Sequence, residues 1–175
     1  QAAAYESAAD TEGTVVMATN ADYFNMGTGE PSGYLVMEGN AIKTTGVTYL
    51  SCAALYVNGG IHANAVTIYS DDAVIAGSGQ AIYAFYNIAL SGKIAVGAQK
   101  EALCADNGYI HMEGDIECNS LDDNDYCILA GNSIYTDTSV NLKVRGGGGL
   151  CSEIGHIELS GDVIDVQSQL KDAFI

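Results

Sequence analysis

Residues 81–100, AIYAFYNIALSGKIAVGAQK, place Ile82, Ala84, Ile88, Leu90, Ile94 and Val96 as small or aliphatic beats among polar residues and glycines. Apolar residues alternate at period two here, and again at Ile116-Glu117-Cys118, which is strand spacing and argues against a helical repeat. The pattern returns along the chain. Aligned on Ile88, it gives a column of Ile42, Ile61, Ile88, Ile110, Ile134 and Ile157, with separations of 19, 27, 22, 24 and 23, a period of about 23. Two residues further on stand Thr44, Ala63, Leu90, Met112, Thr136 and Leu159, followed by Val47, Val66, Ile94, Ile116, Val140 and Val163. A period in this range marks stacked repeats.

An upstream element precedes the column in several units: AALYV at 53–57, AIYAF at 81–85, EALCA at 101–105 and YCILA at 126–130. Three short strands per unit follow. The polar or Gly-rich inserts between units vary in length, as loops on one edge of a solenoid do. A β-sandwich also has short strands at regular spacing. Similar residue types recurring at one period favour a parallel coil, in which like stacks on like. The expectation is an all-β solenoid over residues 34–175 with six to seven rungs, which at about 4.8 Å per rung makes a rod about 30–35 Å long. Residues 1–33 fit the period badly and read as a strand-like cap or an arm reaching a neighbouring subunit.

Composition agrees with strands: there are 21 Gly, one Pro (Pro31) and more Val, Ile, Thr and Tyr than strong helix formers. Six basic against 22 acidic residues give a net charge of −16, which repels nucleic acid and acidic lipid surfaces. No apolar run approaches the roughly 18–20 residues needed to span a bilayer, so membrane insertion is not expected.

Units such as GQAIYAFYNIALSGKIAV (79–96) and EALCADNGYIHMEGDIEC (101–118) resemble the rungs of right-handed parallel β-helix domains in bacterial surface proteins. Those domains are often labelled carbohydrate-binding and share the pectate-lyase-like architecture. The resemblance implies an extracellular or cell-surface location and, in some members, binding of plant polysaccharide with calcium. Enzymatic relatives cleave pectin with a basic residue and calcium, or with clustered Asp and a nearby His. Here the bases are scattered, and Asp71 and Asp72 lie about four rungs, roughly 19 Å, from His156. No catalytic role is expected.

Several residues are candidates for binding. Tyr56, Tyr83, Cys104 and Leu129 fall on one outward column, with Tyr86 and Tyr109 nearby, a row suited to stacking on sugar or packing on another protein. Asp122, Asp123 and Asp125 in the loop LDDND offer hard oxygens to calcium, without the spacing of a dedicated calcium loop. His62 and His111 share an outward position but lie two rungs apart, too far for one ion. Cys104, Cys127 and Cys151 recur at 23 and 24, so a rung-to-rung disulfide is expected from this column. Cys118 reads as a buried free thiol.

The ends carry the functional expectation. Phe174 and Ile175 leave little room for a cap over the last rung, and a rung-on-rung contact between copies is heterologous and grows into a fibre. The chain is therefore expected to be a non-catalytic extracellular structural protein that associates with itself head to tail as the subunit of a surface fibre or filament. The alternative is a monomeric carbohydrate-binding module that uses the tyrosine face; no cofactor is required, and Asp122, Asp123 and Asp125 leave room for a calcium ion.

Overall fold

The computed structural model describes residues 35–37, 40–43, 47–169 and 172–175. The expected arm or cap at residues 1–33 lies outside them. Two short strands, β1 (Leu35–Met37) and β2 (Asn40–Lys43), pair antiparallel with each other. From Val47 onward every ladder between strands is parallel.

The coil has about five turns of about 22 residues, fewer than the six to seven expected. Three turns share one plan: a long strand, then a short one. They are β3 (Val47–Asn58) with β4 (Ile61–Ala63), β5 (Ala65–Gly77) with β6 (Ile82–Ala84), and β7 (Ile88–Ala98) with β8 (Leu103–Ala105). The next turn is β9 (Ile110–Ser120) with β10 (Tyr126–Ala130). After it the long strand divides into β11 (Ile134–Thr136) and β12 (Asn141–Gly146), followed by β13 (Gly148–Ser152). A last run holds β14 (Ile157–Glu158), β15 (Val163–Ser168) and the tail. Each long strand turns a corner at its middle, so a turn presents three faces: the first and second halves of the long strand, and the short strand.

Alternation explains the core. In β7, Ile88, Leu90, Ile94 and Val96 are at most 1% exposed, while Ala89, Ser91, Lys93 and Ala95 point away. Ile88 lies level with Val66 and Ile110, and Ile110 with Ile134, so one aliphatic column runs through the turns. The corner rests on glycine. Gly92 has φ +109° and Gly114 has φ +86°, a region that residues with a Cβ rarely enter. A Cβ on Gly92 would lie 2.0 Å from the Ser70 carbonyl oxygen, and one on Gly114 2.4 Å from that of Gly92. β5 has one residue more than β7 across this corner; its register shifts between Ser70 and Ala73, and exposed Asp71 and Asp72 take up the extra length.

The structure corrects the alignment of the early units. Ile61 is level with Ile82, Leu103 and Ile128 on the short-strand face, and Val66 holds the place assigned to Ile61 in the Ile88 column. Leu142, not Val140, is level with Ile116. Thr48 and Thr136 are polar residues at inward positions; Thr136, 7% exposed, donates to the Ser160 carbonyl at 2.6 Å and accepts the Ser160 N–H at 2.8 Å, so its buried hydroxyl is satisfied.

Candidate functional site

On the second face two inward columns run through the described coil from β3 to β15. One is Leu55, Ala73, Ile94, Ile116, Leu142 and Ile164; the other is Val57, Ile75, Val96, Cys118, Val144 and Val166. Their inner members are at most 1% exposed, whereas Leu55 and Val57 at one end and Ile164 and Val166 at the other are only partly buried. Among the described residues β15 pairs only with β12, and β14 only with β11. Ile157 and Leu159 are likewise partly buried.

The tail completes the third face of the last run. Gly149 N–H donates to Asp172 and Leu150 N–H to Ala173, at 3.2 and 2.8 Å, while Ile175 N–H donates back to Leu150 at 3.0 Å. Phe174 forms a parallel bridge to Leu150, so it continues the inward column of Leu103, Ile128 and Leu150, yet it is 48% exposed. Of the expected contact residues, Phe174 thus stands in line with a core column while its side chain is half-exposed. Ile175 lies one residue on and is also exposed.

The predicted tyrosine row divides between faces. Tyr56 is level with Val74 on the second face and is 75% exposed. Tyr83 lies on the third face beside His62 and Cys104, its ring 5.7 Å from the His62 ring and its hydroxyl donating to Asp106 at 3.5 Å. Burial and then the Asp106 charge raise the Tyr83 pKa. Tyr86 packs edge-on against Phe85. Tyr109 joins a cluster that sequence reading missed: its ring is 5.3 Å from Tyr135, which stacks on His111 at 4.7 Å, and His111 Nε2 lies 3.0 Å from Asp137 Oδ1. The signal was present, because Tyr135 follows Ile134 as His111 follows Ile110. His62 and His111 stand on different faces, so their shared position came from the misplaced Ile61.

The cysteines do not form one column. Cys104 and Cys151 are both level with Leu129, on opposite sides of it, while Cys127 precedes the inward Ile128 and is fully buried. None of Cys104, Cys118, Cys127 and Cys151 is in a disulfide. Two strand spacings, about 9.6 Å, exceed what a disulfide between Cys104 and Cys151 tolerates. Burial pushes the Cys104 and Cys127 thiols up to about 12 and raises that of Cys118 well above its usual value.

The acidic loop holds itself by local bonds. Asp122 Oδ1 accepts the Asn124 N–H at 2.8 Å, and Ser120 Oγ accepts the Asp122 N–H at 3.3 Å. Among the described residues no three His, Cys, Asp or Glu side chains converge as a metal site, so Asp122, Asp123 and Asp125 are neighbours in sequence without forming a cage.

The outward side of the second face is a ladder of alternating charge. One column reads Lys93, Asp115, Asn141 and Val163, with Asp72 beyond Lys93 at the register shift of β5; the next reads Tyr56, Val74, Ala95, Glu117, Lys143 and Asp165; the third ends Gly97, Asn119, Arg145 and Gln167. Asp115 accepts from Asn141 at 2.6 Å, Glu117 accepts from Asn119 at 3.2 Å, and Arg145 pairs with Asp165, whose pKa that hydrogen bond lowers. Among the described residues Lys93 and Lys143 make no ion pair, although Lys143 stands in register between Glu117 and Asp165, and Lys93 stands beside Asp115. Small residues in the middle leave an open groove of about 410 Å³ lined in part by Lys93, Ala95, Glu117 and Lys143.

No protein-family model matches the chain, and no curated protein or solved structure matches it. The assignment to a parallel β-solenoid stands on strand pairing alone. No helix among the described residues is long and apolar enough to cross a membrane.

Proposed function

We propose that this chain is a non-catalytic structural protein, a subunit that stacks end to end into an extracellular fibre or surface layer. One observation carries the reading: among the described residues the same two core columns end in partly buried members, Leu55 and Val57 at one end and Ile164 and Val166 at the other. What covers half-exposed members of a stacked column best is the next turn of the same column, and a second copy supplies it in register. Edge strands β14 and β15 add main-chain groups that a strand from that copy pairs with. Such a head-to-tail contact uses two different surfaces and does not close, so it propagates.

Negative-stain microscopy and light scattering at rising concentration test this. Filaments are expected from the unaltered chain, and the pair Ile164→Asp and Val166→Asp, which places charge on the open end, is expected to abolish them while circular dichroism keeps its strand signature. A monodisperse monomer at every concentration would sink the reading.

A second reading, polysaccharide binding, is favoured by the Tyr109, Tyr135 and His111 cluster, a platform of rings with a polar rim. Retention on pectin or cellulose that is lost in Tyr135→Ala would support it. Calcium dependence of that retention is checked by repeating it with a chelator.

A further inference from the structure

We propose that the charged second face is a lateral contact between two copies of this chain, packed face to face with their coil axes antiparallel. The face carries charges of both signs that complement those of a second copy. Three of the six basic residues of an acidic chain, Lys93, Lys143 and Arg145, project from this one face, interleaved with Asp72, Asp115, Glu117 and Asp165. Among the described residues the amines of Lys93 and Lys143 make no ion pair, so the ladder is not fully used within one copy. Small side chains at Ala76, Ala95 and Gly97 let a second sheet approach.

The register follows from the sign pattern. A two-fold axis along the coil direction sets residues of one rung opposite residues of the same rung. With the axis on the central column, Glu117 then meets Glu117 and Lys143 meets Lys143. Moved half a column either way, it opposes Asp115 to Glu117, or Lys143 to Arg145. An axis along the strands, between β9 and β12, sets Glu117 opposite Lys143 of the second copy, and Lys143 opposite its Glu117. The same operation places Asp115 opposite Asn141 and Arg145 opposite Asn119. Asp165 then faces Ala95, but it already holds Arg145. Lys93 faces Val163 and gains nothing in this register. Exposed ion pairs are individually weak, and both copies are acidic, so the contact is a modest one that depends on the alternation.

This contact is distinct from the end contact and does not rest on it. Sedimentation velocity on the full chain separates them: discrete dimers without filaments would uphold the lateral contact and remove the end contact, whereas unpaired single filaments would overturn the lateral one. Lys143→Glu is expected to raise the dimer dissociation constant at least about tenfold, and Lys143→Ala to raise it in the same direction by a smaller factor. Exchanging the pair, with Glu117→Lys added to Lys143→Glu, restores dimers. Lys93→Glu leaves them unchanged. Circular dichroism establishes that each variant folds. The inference is overturned if the unaltered chain sediments as a monomer, if neither Lys143 variant weakens the dimer, or if the exchange fails to restore it.

Discussion

The middle of the coil and its last run are built from the same columns and differ only in what lies above them. Ile110, in β9, has Ile88 on one side and Ile134 on the other and is fully buried; Ile157, in β14, has Ile134 on one side and is only partly buried. An inward side chain in a solenoid is covered by its neighbours along the axis as much as by the faces across the core. The lesson is that burial here belongs to the stack, and a residue is core or surface according to its distance from an end.

That contrast can be broken directly. Ile110→Ala removes a side chain packed on both sides and is expected to cost about 2–5 kcal/mol, whereas Ile157→Ala at low concentration is expected to cost about 1 kcal/mol or less. Denaturant titration measures both; equal costs would mean that the last run is covered after all. In a filament-forming sample the order of effects on assembly reverses, with Ile157→Ala the more damaging.

Two glycines in β7 sharpen the same picture within one strand. Gly92→Ala puts a methyl into the Ser70 carbonyl at a corner of positive φ and is expected to cost about 2 kcal/mol or more. Gly97→Ala meets nothing within 4 Å and is expected to change stability by less than about 0.5 kcal/mol. If the two shift the unfolding midpoint alike, the corner is not what fixes the turn.

Much of this geometry was legible in the chain. The period-two alternation and the recurrence after Ile88 gave the parallel coil, because inward residues must be apolar and rungs must be of nearly equal length. The early units misled for a physical reason. The turn from Thr48 to Val66 is 18 residues long, against 22 from Val66 to Ile88 and 22 from Ile88 to Ile110, so the short first turn shifted the alignment, and the separations of 19 and 27 around Ile61 were the sign of it. Placing Val66 in that column would have moved Tyr56 off the tyrosine row. Cys127 misled because it adjoins the inward Ile128 at a corner, where a side chain can be buried without being in the column. The groups that meet across a face, such as His111 with Asp137 or Arg145 with Asp165, depend on which residues are opposite across turns. They could not be paired until the register was known.

Protonation separates the interior from the surface again, with smaller effects. The thiols of Cys104, Cys118 and Cys127 are held protonated by burial, so their folded pKa values lie above the unfolded value of about 8.5. Their stabilising contribution is complete below the unfolded value and is lost as pH rises from there toward about 12. The slope is at most about 1.4 kcal/mol per pH unit for each thiol. Denaturant midpoints at pH 7 and 9.5 are expected to fall, and to fall less in Cys127→Ala; a flat profile would mean that water reaches these thiols.

The smallest effect belongs to the surface. Arg145 lowers the pKa of Asp165, so this carboxylate contributes stability above its unfolded pKa, and the contribution disappears as pH falls through the folded value. The pair bridges β12 and β15 on the outward side of the coil, where water screens it, so Asp165→Asn is expected to leave stability at pH 7 almost unchanged. Its signature is in acid. Between about pH 4 and 2 the unaltered chain loses slightly more stability than Asp165→Asn does, and parallel acid limbs would show that the pair contributes nothing in solution. If the lateral contact forms, Arg145 also faces Asn119 of the second copy, the pair becomes less accessible, and the difference between the two acid limbs grows with protein concentration. An isolated surface pair has no such dependence, so the concentration series separates a pair that lies in an interface from one that faces water.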